Sequence, residues 1–167
     1  MADAKKSQSE PKQLKPLLSD PGCAWPTSAL HLDNQLCFAL YSTSLAMTKT
    51  YKPLLEHIGL TYPQYLVMLI LWQQDGVALR DIAEKLHTES GALTPVLKRM
   101  QEMGLLIRAR SPHSERTLEI RLTDAGRAMQ QEALKINQHI ALSCGDSLAE
   151  VEALRDQLIK LRQTLTA

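Results

Sequence analysis

The sequence predicts a mainly α-helical fold with one small β-hairpin: a winged helix-turn-helix carried between long helices. Two short amphipathic segments, Leu79–Leu86 and Ser90–Met103, stand either side of a three-residue break, His87-Thr88-Glu89. An alternating run, Arg116–Leu122, follows a short apolar stretch and the turn Ser111-Pro112-His113-Ser114-Glu115, as a hairpin requires. The other apolar stripes recur at helical spacing and are too long for so small a lobe to cover.

Residues 1–30 have tail composition, with Pro11, Pro16, Pro21, Gly22 and Pro26 among lysines and no apolar period. Cys23 and Trp25 are the stickiest residues there. The first helix is expected over about 34–57, with Asp33 as N-cap and a stripe of Leu36, Leu40, Thr43, Met47 and Tyr51. Pro53 falls late in it, and Gly59 suits its C-terminal stop. Thr61 caps a second helix with Pro63 in its first turn. Leu66, Val67, Leu69, Ile70 and Leu71 make that helix nearly all apolar, hence central, and Asp75-Gly76 ends it.

The third helix turns Leu79, Ile82, Ala83 and Leu86 inward. Ser90 is the expected N-cap of the fourth, which points Leu93, Val96, Leu97 and Met100 inward and Ser90, Ala92, Thr94, Pro95, Lys98 and Arg99 outward. Gly104 closes it. In the alternating run Leu118, Ile120 and Leu122 share one face, with Thr117, Glu119 and Arg121 on the other. Thr123 caps a fifth helix reaching Cys144. Asp146 or Ser147 caps the last, whose stripe Leu148, Val151, Leu154, Leu158, Leu161 and Leu165 is close to a heptad.

Composition narrows the function. At 167 residues, 44% hydrophobic, the chain makes one domain with a tail (31–167 after 1–30), and the net charge of +1 does not by itself announce nucleic-acid binding. Charge is local instead: between Lys98 and Arg121 six basic residues face three acidic ones. No apolar run spans a membrane and no apolar leader opens the chain, so a cytoplasmic protein is expected. Cysteines at 23, 37 and 144 are odd in number and widely spaced, fitting neither a disulfide framework nor a zinc site. His31, His57, His87, His113 and His139 are scattered singly, so neither a metal nor any other cofactor is expected.

In such a lobe, about 61–123, the second helix of the pair enters the major groove with its N-terminal residues at base edges. Ser90, Ala92, Thr94 and Pro95 are small enough for close approach there, while Lys98, Arg99 and the wing's Arg116 suit phosphates or the minor groove. The helices at about 34–57 and 124–165 are expected to form a dimer, which would read a palindromic site in double-stranded DNA. Cys37, near the start of the first helix, has two readings. It is a packed core cysteine, or a redox-active thiol where the helix dipole favours a negative sulfur.

The run Thr117-Leu118-Glu119-Ile120-Arg121-Leu122-Thr123-Asp124-Ala125-Gly126 after Arg116 resembles the wing-to-helix signature of the MarR regulators. Leu32–Tyr41, Leu60–Leu66 and Ser90–Pro95 resemble the organic hydroperoxide resistance regulators within that family, and the similarity covers roughly residue 31 to the end. One departure shows in the wing. The family usually has an aspartate two residues before the wing arginine, where this chain has Ser114, a weaker partner for Arg116.

The resemblance implies a repressor. Organic hydroperoxide oxidises the Cys37 thiolate to sulfenic acid, and DNA is then released. It also implies that Tyr51 and Tyr62 reach the Cys37 of the other subunit. On one straight helix Tyr51 stands about 21 Å from Cys37, beyond contact within a chain. Tyr41, four residues after Cys37, lies beside it in the same chain. Two-cysteine members of the branch form an intersubunit disulfide with a second cysteine near Cys144, which sits at a helix C-terminus where the dipole disfavours a charged sulfur, so the expected bond is Cys37–Cys144 of the partner. Two rival functions stand beside this one. A MarR-type regulator released by a small lipophilic or phenolic ligand needs the same fold without redox chemistry. A thiol peroxidase would usually set a basic residue beside its cysteine, and none stands between Asp33 and Tyr41, so no enzyme is expected.

Overall fold

The computed structural model describes residues 26–111, 114–145 and 147–166, the side chains of 111 and 114–116 excepted. The expected tail through position 25, Cys23, the Pro112-His113 tip, the Ser114 and Arg116 side chains and the Asp146 cap lie outside the described residues. The chain divides into two compact units, one up to Ser42 and one from Thr43 onward.

In the first unit two 3-10 turns, Thr27–Leu30 and Leu32–Asn34, precede helix α1 (Leu36–His57). Asp33 therefore does not cap α1; it lies inside the second 3-10 turn. Gln35 takes the cap position instead, in extended conformation, and its carbonyl receives the Ala39 N–H at 3.1 Å. The Gln35 side-chain amide folds back to donate to the carbonyls of Ala29 and His31. These bonds tie the two turns to the helix start and move it past the aspartate.

The second unit is built on α2 (Tyr62–Gln73), which buries Gln64, Tyr65, Val67, Met68, Ile70 and Leu71. Leu66 is only half-buried and Leu69 is exposed, so the expected apolar face is rotated towards Gln64 and Met68. Gln64 is buried because both ends of its amide are used: Oε1 accepts the Thr61 N–H at 2.8 Å and Nε2 donates to Met103 Sδ at 3.6 Å. Strand β1 (Val77–Ala78), helix α3 (Leu79–Lys85), helix α4 (Ser90–Glu102), strands β2 (Leu106–Ser111) and β3 (Ser114–Leu122), and helices α5 (Asp124–Ala128), α6 (Gln130–Cys144) and α7 (Leu148–Thr166) follow.

The expected two-stranded hairpin is a three-stranded antiparallel sheet in the order β1-β3-β2, with Val77 opposite Ile120 and Leu106 opposite Leu122. Ile120 and Leu122 are buried, as the alternation requires. The fifth helix is interrupted at Met129 into α5 and α6. The N-cap of α4 is Glu89 rather than Ser90, without a side-chain cap bond. Thr123 caps α5 as expected, accepting from the Gly126 N–H at 3.1 Å, and Ser147 Oγ accepts from the Glu150 N–H at 3.3 Å.

The turn between α3 and α4 holds a non-glycine residue in the left-handed region, His87 at φ 51°. His87→Gly is expected to stabilise the lobe by about 0.5–1 kcal/mol, and His87→Val to destabilise it by at least about 1 kcal/mol. Urea unfolding midpoints of the two variants check both signs. The turn itself is closed by His87 N–H to Glu84 O and Thr88 N–H to Ala83 O, both at 3.0 Å.

The long helices leave apolar surface uncovered. α1 buries only Leu55, and α7 buries none of its described residues. Leu142 at the end of α6 is 83% exposed and Leu165 on α7 is 75% exposed. No single helix among the described residues is long and apolar enough to cross a membrane.

Candidate nucleic-acid interface and thiol site

On α4 the inward residues Leu93, Leu97 and Met100 are buried, and Ala92, Thr94, Pro95, Lys98 and Arg99 are all exposed, with Ser90 half-buried. The 3.6-residue period alone sorts these faces. The residues expected at a groove thus share one solvent-facing surface. Thr94 Oγ1 donates to the Ser90 carbonyl at 3.2 Å, a local bond within the first turns of the helix. Arg99 meets Glu102 at 3.7 Å with both side chains mostly exposed, a pair too weak to hold the guanidinium from a phosphate. Arg108 Nε donates to Gln101 Oε1 at 2.6 Å and ties β2 to the end of α4.

The root of the wing is bolted to α2. Asp75 Oδ1 accepts the backbone N–H groups of Gly76 at 2.9 Å and Leu122 at 2.8 Å, while Oδ2 receives Arg127 Nη1 at 2.7 Å. Trp72 Nε1 donates to the Gly126 carbonyl at 2.9 Å, and Thr123 Oγ1 donates to Gly104 O at 2.6 Å. In the sequence Asp75 signals only a helix stop and Trp72 carries no local signal; their partners Leu122, Gly126 and Arg127 lie some fifty residues away, where no local period reports them.

The tyrosines gather at the other end of α2. The Tyr51 ring centre lies 5.1 Å from that of Tyr62 and 5.7 Å from that of Tyr65, and Tyr65 stands 6.4 Å from Trp72, edge-on. Tyr51 is pushed up to about 12, first by burial and then by the neighbouring Tyr65, Tyr62 and Cys144 groups. Burial also raises Tyr62, and it raises Tyr65 with help from Tyr62. All three phenols therefore stay protonated through neutral pH and present O–H donors.

Tyr65, 1% exposed, was missed from sequence. The i, i+3 pair Tyr62/Tyr65 in the first turn of α2 was the available signal. Cys144 ends α6 with its thiol 3.6 Å from Met47 Sδ and within electrostatic reach of Tyr51. In the sequence Met47 stands only as one member of an apolar stripe.

A mostly apolar groove of about 460 Å³ opens beside Tyr62, lined in part by Leu45, Leu55, Leu60 and Pro63. In the first unit Cys37 is exposed and is the second residue of α1, with Tyr41 one turn further on. Among the described residues no group of His, Cys, Asp and Glu is arranged to hold a metal.

Over 136 residues the chain is 42% identical to the organic hydroperoxide resistance transcriptional regulator of Bacillus subtilis (strain 168), covering 81% of this chain and 92% of that one. The chain belongs to the MarR family, in its organic hydroperoxide resistance branch. Residues 49–133 match the family model for the transcriptional regulator SarA/Rot.

Among solved structures, reduced AbfR bound to DNA superposes with a TM-score of 0.71 at 34% identity, covering 84% of this chain and 96% of that one. The disulfide form of AbfR, a protein of Staphylococcus epidermidis, gives a TM-score of 0.57 at 36% identity over 81% and 90% of the two chains. The MarR winged helix is therefore the fold, and the chain is a DNA-binding transcription regulator rather than an enzyme.

Proposed function

We propose that the protein is a homodimeric, redox-sensing repressor of the two-cysteine kind. Organic hydroperoxide oxidises the Cys37 thiolate to sulfenic acid and leaves as the alcohol. The Cys144 thiol of the partner then attacks the sulfenic sulfur, a disulfide forms and water departs with the thiol's proton. DNA is released in consequence. The observation that carries the reading is the assembly of Tyr51, Tyr62 and Cys144 in one chain, three residues drawn from α1, α2 and α6. A thiol arriving from a partner would meet phenol donors and a second thiol at one place. The uncovered leucines of α6 and α7 supply a dimer face, and the two exposed cysteines are reachable by oxidant. Ser90, Ala92, Thr94, Pro95, Lys98, Arg99 and Arg116 read or hold a palindromic operator in this scheme.

The deciding experiment is DNA binding by the wild type and Cys37→Ser, with and without cumene hydroperoxide, across a salt series. The wild type should lose its operator on oxidation. The serine variant should bind equally well in both conditions. Release of DNA by oxidised Cys37→Ser would instead support the second reading, in which a small lipophilic or phenolic ligand occupies the apolar groove beside Tyr62.

A further inference from the structure

Resting on the two-cysteine reading above, we propose that Met47 is a positioning residue for the resolving thiol. Its thioether accepts the Cys144 S–H and fixes the direction in which that sulfur attacks. Cys144 is the last residue of α6, followed by Gly145, in extended backbone. A cysteine at a fraying helix end has three χ1 wells open to it, and only some aim sulfur at an incoming sulfenic acid.

Met47 stands 97 positions away in sequence, yet its Sδ lies 3.6 Å from Cys144 Sγ. Met47 also stands one helical turn before Tyr51, which lies within electrostatic reach of Cys144. The contact therefore holds the exposed thiol against the α1 face on which Met47 and the Tyr51 phenol are half-buried.

The chemistry makes orientation matter. Once Cys37 is a sulfenic acid it has two fates. Attack by Cys144 gives the disulfide and water. Attack on a second hydroperoxide gives the sulfinic acid and an alcohol, and is irreversible by ordinary thiols. The partition between them reads how often the Cys144 sulfur is correctly aimed. A thiol–thioether contact is weak, so its loss should slow resolution by about three- to tenfold.

Met47→Leu tests this, since leucine keeps the volume and removes the sulfur. Intact-mass spectrometry of protein treated with graded cumene hydroperoxide counts disulfide and sulfinic acid. The variant should lose Cys37 thiol at the wild-type initial rate but shift the product ratio towards sulfinic acid by three- to tenfold. On a Cys144→Ser background, Met47→Leu should change nothing further. A wild-type ratio in Met47→Leu, or a changed rate of sulfinic acid formation when Met47→Leu is added to Cys144→Ser, overturns the assignment. Should the wild type itself form no Cys37–Cys144 disulfide, the two-cysteine reading falls, and the Met47 proposal with it.

Discussion

Gly126→Ala is expected to destabilise the DNA-binding lobe by about 3 kcal/mol or more, a loss confined to neither helix nor wing alone. The cause is space and not backbone freedom. A Cβ at this position would fall far inside contact distance of the Leu105 carbonyl oxygen, and would sit 3.1 Å from both the Leu105 carbonyl carbon and Leu122 Cδ2.

Neither side has room to give. The Leu105 carbonyl is held by the Thr123 N–H at 3.1 Å. Gly126 is held in turn by its own N–H to Thr123 Oγ1 and by Trp72 Nε1 on its carbonyl. An added methyl must break at least one of these bonds or push β2 from the start of α5. Thermal unfolding should show the midpoint falling by about 6–12 °C for a chain of this size. A drop under 2 °C would mean that the close approach relaxes at little cost.

Asp75→Ala should cost about 2 kcal/mol, and Asp75→Asn only about 0.5 kcal/mol. One carboxylate oxygen serves two backbone donors, Gly76 and Leu122, and the other meets Arg127. Alanine leaves the Leu122 N–H, part-buried at the sheet end, without its acceptor. Asparagine can still accept both backbone bonds through its carbonyl and loses only the charged partner. Because Arg127 is about half exposed, that pair contributes little of the total. Urea midpoints measured at low and high salt separate the two: the alanine cost should persist in salt, and the asparagine cost should shrink. Equal costs for the two variants would place the stabilisation in the ion pair.

Much of this architecture could be read from residues close together in the chain. The two faces of α4, the caps at Thr61, Thr123 and Ser147, and the glycine stops at 59, 76 and 104, all of positive φ, each follow from a window of a few positions. What escaped depends on distant partners. Val77-Ala78 is a strand only because Ile120 and Glu119 pair with it. The interruption at Met129 follows a segment pinned between Leu105 and Trp72. The displaced start of α1 comes from Gln35 reaching back to carbonyls that no helix rule mentions. In the candidate site the family resemblance marks out Tyr51, Tyr62 and Cys144 as candidates, whereas nothing local marks the Met47 contact or the burial of Tyr65. Stripe residues announce burial, and burial is silent about which polar atom they meet.

α2 joins two neighbourhoods described separately above. Tyr62 and Tyr65 stand in its first turn, Trp72 in its last, and Asp75 just beyond, along 12 residues of helix spanning about 18 Å. Close packing around Val67, Met68 and Leu71 leaves this rod unable to flex, so it can only tilt or turn about its axis. A sideways push on Tyr62 would therefore be expected at the Trp72 and Asp75 bonds that hold the wing's root. The helix would act as a crankshaft does, by rigidity, between the phenols at one end and the wing's root at the other.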